Sequence, residues 1–171
     1  MRGRIRIVAV LSNTPDDDVE RVVAWTRPDF LQLHGTETPE RAAYLRARFG
    51  TGIVKAFAVE TGDDLAEVRS YNEVSDYFLF DAKAPAGADR AGGHGSAFDW
   101  RVLEGRSFAR PWLLAGGLTS ENVARAIAIS GAPGVDVSSG VETEPGRKSA
   151  DLIRTFVSEV RRARFHAEEG A

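Results

Sequence analysis

The chain has 171 residues, with 22 lysines and arginines against 25 aspartates and glutamates and a net charge of −3. That balance excludes bulk electrostatic attraction to nucleic acid or an anionic membrane. The 43% hydrophobic and 27% charged content excludes a disordered tail, and zero cysteine excludes disulfides, thiolate metal sites and cysteine nucleophiles among these residues. The length suits a single domain over 1–171 with a sizeable core, its tail at 166–171 frayed. The apolar run Ile7 to Leu11 is too short to span a bilayer and lacks a signal-peptide cleavage site, so a cytoplasmic protein is expected. His34, His94 and His166 are scattered, which gives a zinc cluster little support.

Short apolar runs alternate with amphipathic segments six times. Ile5 to Leu11 predicts a first strand, and Thr14-Pro15-Asp16-Asp17-Asp18 a helix start, with Thr14 as cap and Pro15 in the first helical position. Val19, Val22 and Val23 supply the apolar stripe of that helix. Phe30 to Gly35 predicts the second strand, and Thr38-Pro39-Glu40 opens a helix closing near Gly50. Gly52 to Val59 is the third strand, followed by a helix near Asp63 to Tyr71 carrying Leu65 and Val68. Tyr77 to Asp81 is the fourth; a glycine-rich loop and a short helical stretch, Phe98 to Glu104, come after it. Trp112 to Gly117 is the fifth, with a helix capped by Thr119 or Ser120. Gly134 to Ser138 is the last strand, and a helix from about Ser149 to Arg164 buries Leu152, Ile153, Phe156, Val157 and Val160.

Strands alternating with helices predict parallel pairing. An open doubly wound sheet and a barrel both satisfy that pattern. The first strand–helix turn lacks the glycine fingerprint of dinucleotide binding, whereas polar residues gather at the strand ends: His34, Asp81, Gly116-Gly117 and Ser138-Ser139-Gly140. Chemistry at the carboxyl ends of parallel strands is the signature of a (β/α)8 barrel, here with six units in place of eight.

Gly116-Gly117 and Ser139-Gly140 sit one unit apart, after the last two strands, where such barrels bind phosphate. Glycines let backbone N–H groups approach an oxyanion, although the same residues also serve as plain tight turns. Asp81 ends a strand of four apolar residues, a partly desolvated position suited to general acid chemistry or, equally, to a cap or an ion pair with Lys83. Gly92, Gly93 and Gly95 fall in a long loop that reads either as a water-excluding lid or as mobile surface. His34 touches substrate or its neighbouring backbone.

These segments together resemble the phosphoribosylanthranilate isomerases, the (β/α)8-barrel enzymes of tryptophan biosynthesis. The resemblance rests on Gln32-Leu33-His34-Gly35, Phe80-Asp81, Gly92 to Trp100, Leu114 to Leu118 and Val135 to Glu142, in the family's order and spacing. It implies an Amadori rearrangement of N-(5-phosphoribosyl)anthranilate without metal or redox cofactor. Asp81 matches the general acid, Gly117, Ser139 and Gly140 match the phosphate site beside Gly116, and Asp136 and His34 match polar positions facing the pocket. The family's general base, a cysteine at the end of its first strand, has no counterpart, nor has a substrate-positioning arginine of its second unit. The six units therefore correspond to family strands three to eight. Such a partial barrel exposes apolar edges, which predicts self-association, although Arg2, Arg4 and Arg6 alternate along the first strand and oppose edge pairing. A relative that binds a phosphosugar or a partner chain without catalysis is the competing expectation.

Overall fold

The computed structural model describes residues 5–83 and 97–169, the side chains of 164–169 excepted. Five strands form one parallel sheet: β1 (Val8–Leu11), β2 (Phe30–Leu33), β3 (Gly52–Val59), β4 (Tyr77–Ala82) and β5 (Trp112–Leu114). Their spatial order is their order in the chain, every neighbouring pair parallel. A doubly wound sheet reverses direction at a switch point, whereas a barrel wall adds each strand beside the last, so this order is that of an incomplete (β/α) barrel.

Alternation along each strand divides the side chains between two layers. Val54, Ala56, Leu79 and Ala115 form the inner cluster, with Phe30 and Leu113 packed against it. The opposite face carries Leu31, Leu33 and Ile53 toward α1 (Asp16–Thr26) and α2 (Pro39–Phe49), where they meet Val19, Ala42 and Leu45. Further along that face, Phe57, Phe78 and Phe80 are at most 2% exposed. Phe57 meets Tyr71 edge-on at 5.3 Å between ring centroids, and Phe80 meets Trp112 at 5.5 Å. Burying each such ring stabilises the fold by roughly 1.5–3 kcal/mol.

Start and stop signals held where local chemistry controls them. Thr38 accepts the Arg41 N–H at the start of α2, and Gly50 ends it in the left-handed region. At α1 the boundary moves by one residue: Pro15 is the cap position, because the Thr14 hydroxyl is engaged by the Ser12 N–H instead.

The first strand starts at Val8 rather than Ile5, and the helix expected to be capped by Thr119 or Ser120 starts at Val123 with Asn122 in the cap position. Three further elements differ from expectation in kind or length. The helix expected near Asp63 to Tyr71 is two 3-10 turns, Gly62–Leu65 and Val68–Tyr71. Asp64 turns its carboxylate back onto the Glu60 and Thr61 N–H groups, and the Ser70 hydroxyl donates to the Glu67 carbonyl, so local bonds outcompete a continuous helix. Phe98 to Glu104 likewise contracts to the 3-10 turn Trp100–Leu103.

The strand expected over Gly134 to Ser138 reduces to one bridge, Leu114 with Val135. Its partner β5 stops at Leu114, since Gly116 turns the chain away at φ +84°. The chain continues through α3 (Val123–Ser130), a small hairpin of β6 (Glu142–Glu144) and β7 (Arg147–Lys148), and α4 (Ala150–Glu169). On α4, Phe156 is buried as expected, whereas Ile153 and Val157 are 42% and 40% exposed, because the described residues lay nothing over that side of the helix.

Candidate active site

The carboxyl ends of the strands bring His34, Asp81, Gly116, Gly117 and Asp136 to one end of the barrel wall. Asp81 shares the inward parity of Leu79 and sits opposite Ala58 one residue before β4 ends. Only 6% of Asp81 is exposed. His34 follows β2 on the inward parity of Gln32, and its Nε2 lies 3.0 Å from Asp81 Oδ2. The Gln32 side-chain amide donates to His34 Nδ1 at 3.0 Å, so the ring proton resides on Nε2 and is donated to the Asp81 carboxylate. The second oxygen, Oδ1, accepts the Ala82 N–H at 2.8 Å. Both oxygens of the carboxylate are thereby oriented.

Gly116 is the reason the next strand end can come so close. A Cβ there would meet the Ala82 nitrogen at 2.4 Å and Asp81 Oδ1 at 3.0 Å. Gly116 and Gly117 are successive left-handed residues, φ +84° and +59°, a backbone path that presents N–H groups to one side. Asn122 braces this turn: its side chain accepts the Thr119 N–H and donates to the Gly117 carbonyl, both at 2.9 Å. Ser139 and Gly140 open the 3-10 turn Ser139–Val141, and Gly140 packs directly on the Leu118 carbonyl. The two glycine turns separated by one unit in the sequence are in contact in the fold.

Asp136 follows the bridge at Val135, and its N–H donates to the Leu114 carbonyl at 2.8 Å. The residue is open to solvent yet ringed by protein. Desolvation first, and then the charge of Asp81, push its carboxyl above the usual carboxylate range, while Lys148 acts in the opposite sense. Lys148 Nζ donates to the Ser138 carbonyl at 2.8 Å and to Glu142 Oε1 at 2.6 Å, fixing the approach to Ser139 from the hairpin side. Gly92, Gly93 and Gly95, read above as a lid, lie outside the described residues.

Sequence reasoning gave no role to Gln32, Lys55, Glu37 or Lys148. Lys55 did leave a signal, as the one charge within the apolar strand Gly52 to Val59. The role of Lys148 left none, since the hairpin that presents it has no local signature.

A barrel wall with its polar groups gathered at the carboxyl ends of parallel strands, and with paired glycine turns after the last two, defines the phosphate-binding class of (β/α)8-barrel enzymes. Comparison with known proteins narrows the class. The family model described as N-(5'phosphoribosyl)anthranilate (PRA) isomerase matches residues 1–159. The N-(5'-phosphoribosyl)anthranilate isomerase of Rhodospirillum rubrum is 51% identical over 154 residues, covering 90% of this chain and 71% of that protein. That of Rhizobium johnstonii is 45% identical over 162 residues, covering 95% and 73%. The crystal structure of phosphoribosyl anthranilate isomerase from Thermotoga maritima superposes with a TM-score of 0.80 at 30% identity, covering 94% of this chain and 75% of that one. A phosphoribosyl anthranilate isomerase in complex with reduced 1-(o-carboxyphenylamino)-1-deoxyribulose 5-phosphate gives 0.75 at 29% identity, covering 94% and 74%. The chain belongs to the PRA isomerase family, the isomerases of tryptophan biosynthesis. Among the described residues no helix is long and apolar enough to cross a membrane.

Proposed function

We propose that this chain acts in the Amadori rearrangement of N-(5-phosphoribosyl)anthranilate to 1-(2-carboxyphenylamino)-1-deoxyribulose 5-phosphate, with Asp81 as the general acid. The observation that carries this reading is the Asp81 carboxyl, buried at a strand's carboxyl end with one oxygen turned to His34 and the other to its own strand. When protonated, Asp81 gives its proton to the furanose ring oxygen; the bond from C1 to that oxygen breaks and C1, still bonded to the anthranilate nitrogen, becomes the Schiff-base carbon. Loss of the C2 proton then yields an enolamine, which tautomerises to the ketone. The backbone of Gly116, Gly117, Ser139 and Gly140 grips the substrate phosphate, and His34 and Asp136 line the sugar's side of the pocket. The reading places the chain in the cytoplasm, with a small phosphosugar as its ligand.

None of the 171 residues is a cysteine, so the reading assigns removal of the C2 proton to no residue of this stretch. That observation also favours a second reading, in which the stretch binds the phosphosugar without turning it over. The test is the loss of phosphoribosylanthranilate fluorescence with the purified chain and its Asp81→Asn variant. Turnover that disappears in the variant supports the isomerase reading. Substrate binding without turnover in the folded chain supports the second, and turnover equal in both proteins removes Asp81 from the mechanism.

Self-association belongs to the same proposal. Among the described residues β1 has a neighbour on one side only, and Val8 and Val10, opposite Phe30 and Gln32, leave 42% and 62% of their surfaces exposed. A second copy of this chain is the occupant that the reading assigns to that edge.

A further inference from the structure

Lys55 and Glu37 form an ion pair on the outer face of the wall, their side chains 3% and 4% exposed. Removing two charges from water is expensive, and a buried pair of this kind is on its own weak evidence for stability. Its partners show what it does. Lys55 Nζ donates to the Gly35 carbonyl at 2.7 Å, to the Leu33 carbonyl at 3.2 Å and to Glu37 Oε2 at 3.4 Å. All three donors of one ammonium go to a five-residue stretch, and two of the acceptors are the carbonyls on either side of His34.

The register explains why the side chain is needed. Leu33 opposite Lys55 is the last pair of the β2–β3 ladder, so His34 and Gly35 lie beyond its end. Lys55 continues the ladder with its side chain. Glu37 completes the clamp, accepting the Gly35 N–H at 2.9 Å through Oε2 and the Asn13 N–H through Oε1 at 2.6 Å. From the β1 side, the Leu11 carbonyl accepts the His34 N–H at 2.8 Å. The backbone around His34 is therefore held on both sides, with its ring placed between Gln32 and Asp81.

We infer that Lys55 and Glu37 are positioning residues for the acid step: through the Leu33–Gly35 backbone they hold His34 Nε2 on the Asp81 carboxylate. The inference rests on the reading of Asp81 as the acid, and it assigns to this pair a role at a site that neither side chain touches.

Lys55→Met and Glu37→Gln each strand one buried partner, so the double variant, which removes both charges, is the one expected to stay folded. Two readouts are taken. The first is the 15N spectrum of the imidazoles, with His34→Asn identifying the His34 signals and confirming the Nε2–H form in the parent chain. In the folded double variant these signals are expected to move to the averaged positions of an imidazole exchanging between tautomers. The second is turnover of phosphoribosylanthranilate, where kcat is expected to fall about ten- to a hundredfold, the scale on which a misplaced catalytic group loses rate, with KM nearly constant. A folded double variant whose His34 signals match the parent overturns the inference, and so does one whose signals move while kcat holds. The spectrum reads the positioning without turnover, so an inactive parent chain supports the reading of binding without turnover, and the His34 signals then decide whether Lys55 and Glu37 hold the ring on Asp81.

Discussion

Gly140 lies so close to the Leu118 carbonyl that a Cβ in its place would stand 1.9 Å from that oxygen. The obstacle is backbone, so no side-chain rotation can relieve it, and the two glycine turns must separate to admit even a methyl group. Gly140→Ala is therefore expected to weaken binding of inorganic phosphate and of substrate, raising KM more than it lowers kcat. Overpacking of this order costs about 1–3 kcal/mol, which a thermal melt will read. A variant that binds phosphate as tightly as the parent would disconnect the glycine turns from the phosphate site.

Asp81→Asn retains the shape of the side chain and one acceptor for His34, while removing the transferable proton. Turnover in an active chain is expected to fall by roughly 10² to 10⁴, the usual contribution of a positioned general acid, with phosphate affinity retained. Steady-state kinetics alongside phosphate titration separates the two effects.

Asp136→Asn tests the crowding of carboxylates at the strand ends. Desolvation and the neighbouring Asp81 raise the folded-state carboxyl above the ordinary aspartate value of 3.8. Between that value and the raised one, the folded chain holds more protons than the unfolded chain, so stability falls as pH rises through the window. Above the window the parent carries the full penalty of an ionised Asp136, and below 3.8 it carries none. The amide variant is thus expected to melt higher than the parent at neutral pH, by a small margin because solvent screens the open side chain. The margin should vanish in acid. Melting curves for both proteins across that range check the sign.

The candidate site was legible where a residue's own strand places it. His34 and Asp81 stand out as polar groups ending apolar runs, and period-2 alternation turns both inward. The pairing of the Gly116-Gly117 turn with Gly140 was legible only as spacing, since the packing of Gly140 on the Leu118 carbonyl depends on how two loops meet. Lys55 was visible as a charge in an apolar strand, but its partner stands on a turn 18 residues earlier in the chain, and nothing local joins them. The helix expected near Asp63 to Tyr71 failed for a local reason: apolar spacing at Leu65 and Val68 suits two short turns as well as one helix, and the Asp64 capping bonds decided between them. The expected last strand failed for a non-local one, because its length is set by where β5 stops.

Association of copies can be tested at Val10. This residue faces inward opposite Gln32 yet is 62% exposed, on a strand whose other edge has no neighbour among the described residues. At the far end of the wall Ile153 and Val157 of α4 are exposed as well, so apolar surface is open at both ends. Sedimentation velocity over a range of concentrations is expected to show the chain associating. Val10→Lys places a charge on the β1 edge, the device by which natural sheets discourage edge pairing, and should shift the sedimenting species toward monomer without lowering the melting temperature. Because Val10 touches neither Asp81 nor the glycine turns, phosphate affinity should be unchanged. A parent chain that sediments as a monomer at every concentration would overturn the assignment of a second copy to this edge.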